Sequence, residues 1–174
     1  MKQKNYFFDF SIEGKIKVTG PGRIDFINGL TTNDVKKLAE GESCYSHFLN
    51  KLGKILASTF IYNFSDHLVI VVNVFVFFFI LQILKEQVAF GKYEVKVVLM
   101  QFGLFYVETN DKKTIEGSNA KIFKSSRLGS GYDVFVSASE YKSFKLELEQ
   151  KSMTLGTHEV FEEKRITSRM PTFG

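Results

Sequence analysis

The side chains able to do chemistry in this chain of 174 residues are few and scattered. Its single cysteine, Cys44, stands beside Tyr45, and its three histidines are His47, His67 and His158. One thiol excludes an internal disulfide and an all-cysteine cluster or zinc site, and the histidines show no ligand spacing, so no metal site is expected. No basic residue adjoins Cys44 to depress its pKa, and it reads as an inert, partly buried strand residue. Cysteine poverty fits a reducing, cytoplasmic setting. Two other stretches offer polar atoms. Gly20-Pro21-Gly22-Arg23 resembles a phosphate-cradling turn but lacks the strand-loop-helix glycine fingerprint. Thr31-Thr32-Asn33-Asp34 presents consecutive side-chain oxygens, which read as helix caps rather than ligand contacts.

The elements that must carry these groups follow from periodicity. Ile24, Phe26, Ile27 and Leu30 form a short apolar helical stripe, after which Thr31 to Asp34 are expected to cap a second short helix carrying Val35 and Leu38. Gly41 ends that piece. Tyr45, Phe48 and the run Ile55 to Tyr62 then read as two strands joined by the turn Asn50-Lys51-Leu52-Gly53, with Gly53 free to take positive φ. Leu68 to Val72 is a buried strand, followed from about Val74 to Phe90 by a helix. The whole apolar run from Leu68 to Leu84 is shorter than the ~20 residues that cross a bilayer and contains Asn73 and Gln82, so no membrane span is expected. Phe77, Phe78 and Phe79 face more than one side of that helix and are expected to contact a partner or a further part of the protein.

Tyr93 to Met100 and Leu104 to Glu108 read as strands, Asn110 to Asn119 as a mobile loop, and Lys121 to Lys124 and Tyr132 to Ser137 as further strands. Ser139 is expected to cap a helix through Tyr141, Phe144 and Leu148, and Thr157 a last helix over 157–168. Hairpins dominate over parallel crossovers, which favours an α+β class. The expected division is two lobes, about 1–90 and 91–150, with the 157–168 helix returning to the first. Charged residues make up 24% and the net charge is +4. The lysines are dispersed, with no basic aromatic motif, so nucleic acid is not an expected partner.

Between Arg23 and Tyr62 several of these signals coincide at fixed spacing: Arg23, Phe26, Gly29-Leu30-Thr31-Thr32-Asn33-Asp34-Val35, Tyr45, Phe48-Leu49-Asn50 and Gly53-Lys54-Ile55-Leu56-Ala57. This pattern resembles the folate-binding YgfZ/GcvT proteins, and Lys164 to Gly174 is similar to the family's R-I-x-x-x-x-P-x-F-G segment. The resemblance implies ferredoxin-like lobes with antiparallel sheets and packed helices, and tetrahydrofolate as the ligand.

In the T-protein branch of that family, a G-G-I-L-D-D stretch supplies a carboxylate for aminomethyl transfer. Here it reads Gly53-Lys54-Ile55-Leu56-Ala57-Ser58, and neither alanine nor serine can do acid or base work near neutral pH. The T-protein's G-E-x-G-Y-E pattern corresponds to Leu128-Gly129-Ser130-Gly131-Tyr132-Asp133, without its first glutamate. No catalytic residue is therefore assigned. Both departures point to the YgfZ branch, a folate-binding accessory to iron-sulfur cluster assembly or repair, with iron-sulfur cluster proteins as partners. That branch's cysteine motif lies downstream of Gly174. The residues matching the family's folate cleft are Tyr62, Asn73 and Arg165: a ring for stacking, an amide with donor and acceptor, and a guanidinium for a folate carboxylate. The readings left beside this one are an aminomethyltransferase-like enzyme whose acid has migrated, and a truncated interaction module without a small ligand.

Overall fold

The computed structural model describes residues 5–89, 96–99, 102–116, 119–125 and 127–170, with backbone alone for 96–99. In chain order the elements are β1 (Tyr6–Asp9), β2 (Gly14–Thr19), α1 (Arg23–Asn28), β3 (Ser43–Leu49), β4 (Ile55–Asn63), β5 (His67–Val72) and α2 (Phe77–Ala89). There follow β6 (Lys96–Leu99), β7 (Phe102–Val107), β8 (Lys121–Lys124), β9 (Tyr132–Ser137), α3 (Tyr141–Gln150), β10 (Thr154–Leu155) and α4 (His158–Thr167). They form two compact units, one taking the described residues from Glu13 to Leu99, the other those up to Ile12 together with those from Phe102 onward. The expected class is borne out: mixed α and β, with antiparallel sheets and packed helices. The strand nearest the N-terminus joins the second half of the chain rather than the stretch up to residue 90, because β1 pairs antiparallel with β7 and parallel with β10.

In the first unit an antiparallel sheet runs in the order β3-β4-β5-β2-β6. One face is apolar, with Val18, Phe48, Ala57, Ile61, Leu68 and Ile70 packed against Phe26 and Ile27 of α1 and Ile80, Leu81 and Leu84 of α2. Both faces of β5 are buried, which is why it reads as an unbroken apolar run rather than an alternating one. The hairpin turn is as expected. Gly53 has φ +77, and the Asn50 side-chain carbonyl accepts from the amides of Leu52 (2.9 Å) and Lys54 (3.0 Å). The helix starts at Phe77, not Val74. Asn73 first folds a turn, its Oδ1 accepting from the Phe75 amide (2.9 Å) and its backbone carbonyl from the Val76 amide (3.1 Å). Phe77 packs into the core beside Gly14, where an added Cβ would stand 2.0 Å from its ring, so only Phe78 and Phe79 of the expected contact trio are exposed.

The threonine corner does different work from that expected. Val35 to Lys37 is one 3-10 turn, and no side chain of Asp34 caps it; the Val35 amide is taken by Asn28 Oδ1 at 2.9 Å. Thr32 instead bonds both backbone groups of His47, its amide donating to the carbonyl (3.0 Å) and its hydroxyl accepting from the amide (3.1 Å). Asn33 Nδ2 donates to the Tyr45 carbonyl at 3.0 Å, and the Asn33 amide donates to the buried Ser46 hydroxyl at 2.9 Å. The corner thus covers the open edge of β3, whose backbone groups would otherwise stand unpaired.

In the second unit the sheet order is β10-β1-β7-β9-β8. One face packs Phe105, Val134 and Val136 against Phe144 and Leu148 of α3. The other packs Phe8, Tyr106 and Leu128 against Phe161 of α4. Thr157 caps α4 as expected, accepting from the Val160 amide. Ser139 does not cap α3: Glu140 holds that place, its amide donating to the Ser137 hydroxyl at 3.3 Å. Within the stretch expected to be a loop, Asp111 caps a 3-10 turn over Lys112–Thr114, and the following Ile115 is wholly buried. The expected strand start at Tyr93 and helix end at Phe90 lie outside the described residues.

A buried ion pair ties the approach to β9. Arg127 Nε donates to Asp133 Oδ1 at 2.9 Å, both residues are under 5% exposed, and the guanidinium lies 4.3 Å from the Phe10 ring centroid. Removing one partner strands the other charge in the interior, so Asp133→Ala is expected to cost about 3–5 kcal/mol, read as a lowered urea midpoint by circular dichroism.

Candidate functional site

Strand alternation sorts the side chains of the β3-β4 hairpin. Cross-strand partners share a face, so the pairs Phe48↔Ala57 and Cys44↔Ile61 lie on the core side, while Tyr45↔Phe60 and His47↔Ser58 lie on the opposite side. Here Ser58 Oγ and His47 Nδ1 are 3.3 Å apart. Beside them the Tyr45 ring packs against Phe60 at 5.0 Å and edge-on to the His47 imidazole at 4.9 Å. All four residues are half-buried. Asn73 is the first residue past the last paired position, Thr59↔Val72, and so follows β5 at the row of Ser58 and His47. The outcome is a polar row, His47, Ser58 and Asn73, next to an aromatic row, Tyr45 and Phe60. Such a face can stack on a planar ring and exchange hydrogen bonds with its edge.

The residues expected from the sequence to line a folate cleft fare differently. Tyr62 lies on the same face as Phe60, pairs with Val69 and is wholly buried. From Val69 to Asn73 is four residues of strand, roughly 13 Å. Asn73 is exposed, with its carbonyl oxygen spent on the turn into α2. Arg165 belongs to the other unit. Its Nε and Nη2 reach Glu162 at 2.7–3.1 Å, and Nη1 donates to the Met170 carbonyl, a clamp that turns the chain at the end of α4. Arg23 also serves a turn. Its guanidinium donates to the carbonyls of Gly20 (3.2 Å) and Ser65, joining the β2-α1 and β4-β5 connections. Among the described residues no group of three or more His, Cys, Asp or Glu side chains is placed to hold a metal. None of their helices is long and apolar enough to cross a membrane.

His47 and Ser58 were not singled out as a pair by the sequence. A regular hairpin continued from the 50–53 turn sets His47 against Ala57, and the irregularity between Phe48 and Leu49 shifts the register by one, bringing Ser58 opposite. At the other sequence landmark, Gly129 has φ +79 with open space around its Cα, on a loop held by the Tyr106 hydroxyl donating to the Ser130 carbonyl at 2.6 Å.

Two α+β units of mainly antiparallel strands, with helices packed on their sheets and a mixed polar and aromatic sheet face on one, place this protein in a defined structural class. The GCVT N-terminal domain model matches residues 1–108, and the chain belongs to that family. It is similar to the probable aminomethyltransferase of Natronomonas pharaonis, 42% identical over 59 residues, 34% of this chain and 16% of that protein. The aminomethyltransferase of Bdellovibrio bacteriovorus is 40% identical over 67 residues, 37% of this chain and 19% of that one. The fold is shared with the crystal structure of glycine cleavage system aminomethyltransferase T from Bartonella henselae, with a TM-score of 0.81 at 17% identity. That match covers 97% of this chain and 52% of the other, so the chain spans about half the length of that protein.

Cys44, on the core side of β3, is half-buried, and that burial pushes its thiol up to about 11. The thiolate is the reactive form, so near pH 8 the folded protein holds far less of it than a free cysteine of pKa ~8.5. Alkylation by iodoacetamide at pH 8 is expected to run about a hundredfold slower than for glutathione, to rise with pH towards 11, and to become fast in urea.

Proposed function

We propose that this protein binds a tetrahydrofolate on the His47, Ser58 and Asn73 row and does not transfer an aminomethyl group from it. The observation that carries the reading is the side chain at Ser58. Alternation aims position 57 into the apolar core and position 58 onto the half-buried face, so the place from which a carboxylate could act on a ligand holds a neutral hydroxyl bonded to His47. Tyr45 and Phe60 supply a stacking surface, and Asn73 Nδ2 a donor. Tyr62 backs the same face. Arg165 stands in the other unit, bonded to Glu162, and is not assigned to this row. The net positive charge favours a polyanionic folate tail. On the resemblance to the YgfZ branch, the role is accessory to iron-sulfur cluster assembly or repair, in a reducing cytoplasmic setting.

A second reading has one observation in its favour: the His47 imidazole touches Ser58, so an aminomethyltransferase acid could have moved there. The curated relatives named above carry that activity in their names.

Isothermal titration with 5-formyltetrahydrofolate is expected to give saturable micromolar binding, weakened roughly tenfold by Asn73→Ala and less by Tyr62→Phe. No folate-dependent ammonia release from an aminomethylated lipoyl carrier is expected. Release that disappears in His47→Gln would establish the second reading instead, and a folded chain that binds no folate would refute both.

A further inference from the structure

Helix α2 carries two apolar faces, and the core needs only one of them. Ile80, Leu81 and Leu84 enter the apolar layer on the sheet, and Phe77 joins them beside Gly14. Phe75, Phe78, Phe79, Gln82 and Glu86 follow one another at spacings of three or four, so they share one outward stripe of the helix and the turn before it. The stripe is divided. Its first part is aromatic, with Phe75 93% exposed, Phe78 74% and Phe79 50%, and Val74 alongside. Its second part is polar, where Gln82 Nε2 donates to Glu86 Oε1 at 2.8 Å. Single exposed apolar residues are ordinary on a protein surface, but contiguous aromatic rings mark a place of contact.

Size and chemistry name the occupant. Together the three rings expose more than two whole phenylalanines, roughly 300–550 Å2 of apolar surface. Two such patches face to face give roughly 600–1,100 Å2. Because about 60% of an interface is apolar, the whole contact then reaches roughly 1,000–1,800 Å2, the size of a specific dimer. From Val74 to Gln82 the chain carries no charge, so a charged peptide would find no countercharge there. A helix lying on a membrane would be flanked by lysine and arginine, which the same stretch lacks. An identical patch meets neither objection, and its rings can meet these edge to face, as Phe77 and Phe78 already do at 5.1 Å and 68°. We propose that this protein pairs through Phe75, Phe78 and Phe79 with the same residues of a second copy, as a two-fold dimer. This goes beyond the folate reading and does not rest on it: α2 packs on the core face of its sheet, and the His47 row lies on the opposite face.

The test is sedimentation velocity of the full 174-residue chain without folate, from about 5 µM to about 1 mM. A monomer at the low end that passes to a dimer and to nothing larger is expected, with the amide NMR signals of Phe75 to Gln82 shifting over the same range. Phe78→Asp should weaken pairing at least about tenfold. Phe75→Ser, which changes the most exposed ring outside the helix, should also weaken it while leaving the circular dichroism and the urea midpoint unchanged. A chain that stays monomeric throughout, a dimer that forms equally in both variants, or species that grow beyond two would each overturn the proposal. A monomer that sediments with phosphatidylcholine vesicles only when Phe78 is intact would overturn it too, by giving the rings to a membrane surface. Because no folate is present, failure of this test leaves the folate reading untouched.

Discussion

Everything proposed for the sheet face depends on how the open edge of β3 is held. An edge strand with free backbone groups slips easily, and a slip of one residue would turn Tyr45 and His47 into the core and Phe48 out. Thr32 prevents this by bonding both backbone groups of His47, while Asn33 takes the Tyr45 carbonyl and the Ser46 hydroxyl. Ser46 is almost wholly buried, so its bond to the corner also satisfies a hydroxyl on the core side. One short polar segment thereby fixes the register of the strand that displays the candidate ligand face.

Packing reinforces that choice from below. Phe48 and Ala57 enter the same apolar layer as Phe26, Ile27 and Val35, the residues flanking the threonine corner. The corner is therefore fastened twice, by hydrogen bonds to β3 and by apolar contacts beneath it. The face above it can then stay polar without loss of order, because its geometry is set by the layer below. This is how a site can be rigid while its own side chains remain half-buried.

Much of this order was legible in the sequence, and the failures have physical causes. The α1 stripe, the Gly53 turn, β5, β8, β9 and the Thr157 cap follow from periodicity and turn chemistry. A run of hydroxyl and amide side chains before an apolar residue is a cap signal, and nothing local reveals that a distant strand edge competes for the same atoms. The His47-Ser58 pairing was hidden by a register shift that depends on tertiary packing. Arg165 and Glu162 stand three residues apart on α4, a spacing that lets them pair along the helix, and they do. The assignment of β1 to the second half of the chain is likewise a matter of strand pairing, which a four-residue run cannot announce.

A folate seated on the His47 row would touch the imidazole, which is therefore its own reporter. The chain has only three histidines, and His67 and His158 lie outside that row and serve as internal references. The measurement is the Cε1–H signal of each histidine during titration with 5-formyltetrahydrofolate, His47 being assigned with His47→Gln. Folate bound on this row gives a saturable shift of the His47 signal and leaves the other two nearly unmoved. Saturable binding that leaves His47 unmoved would contradict it.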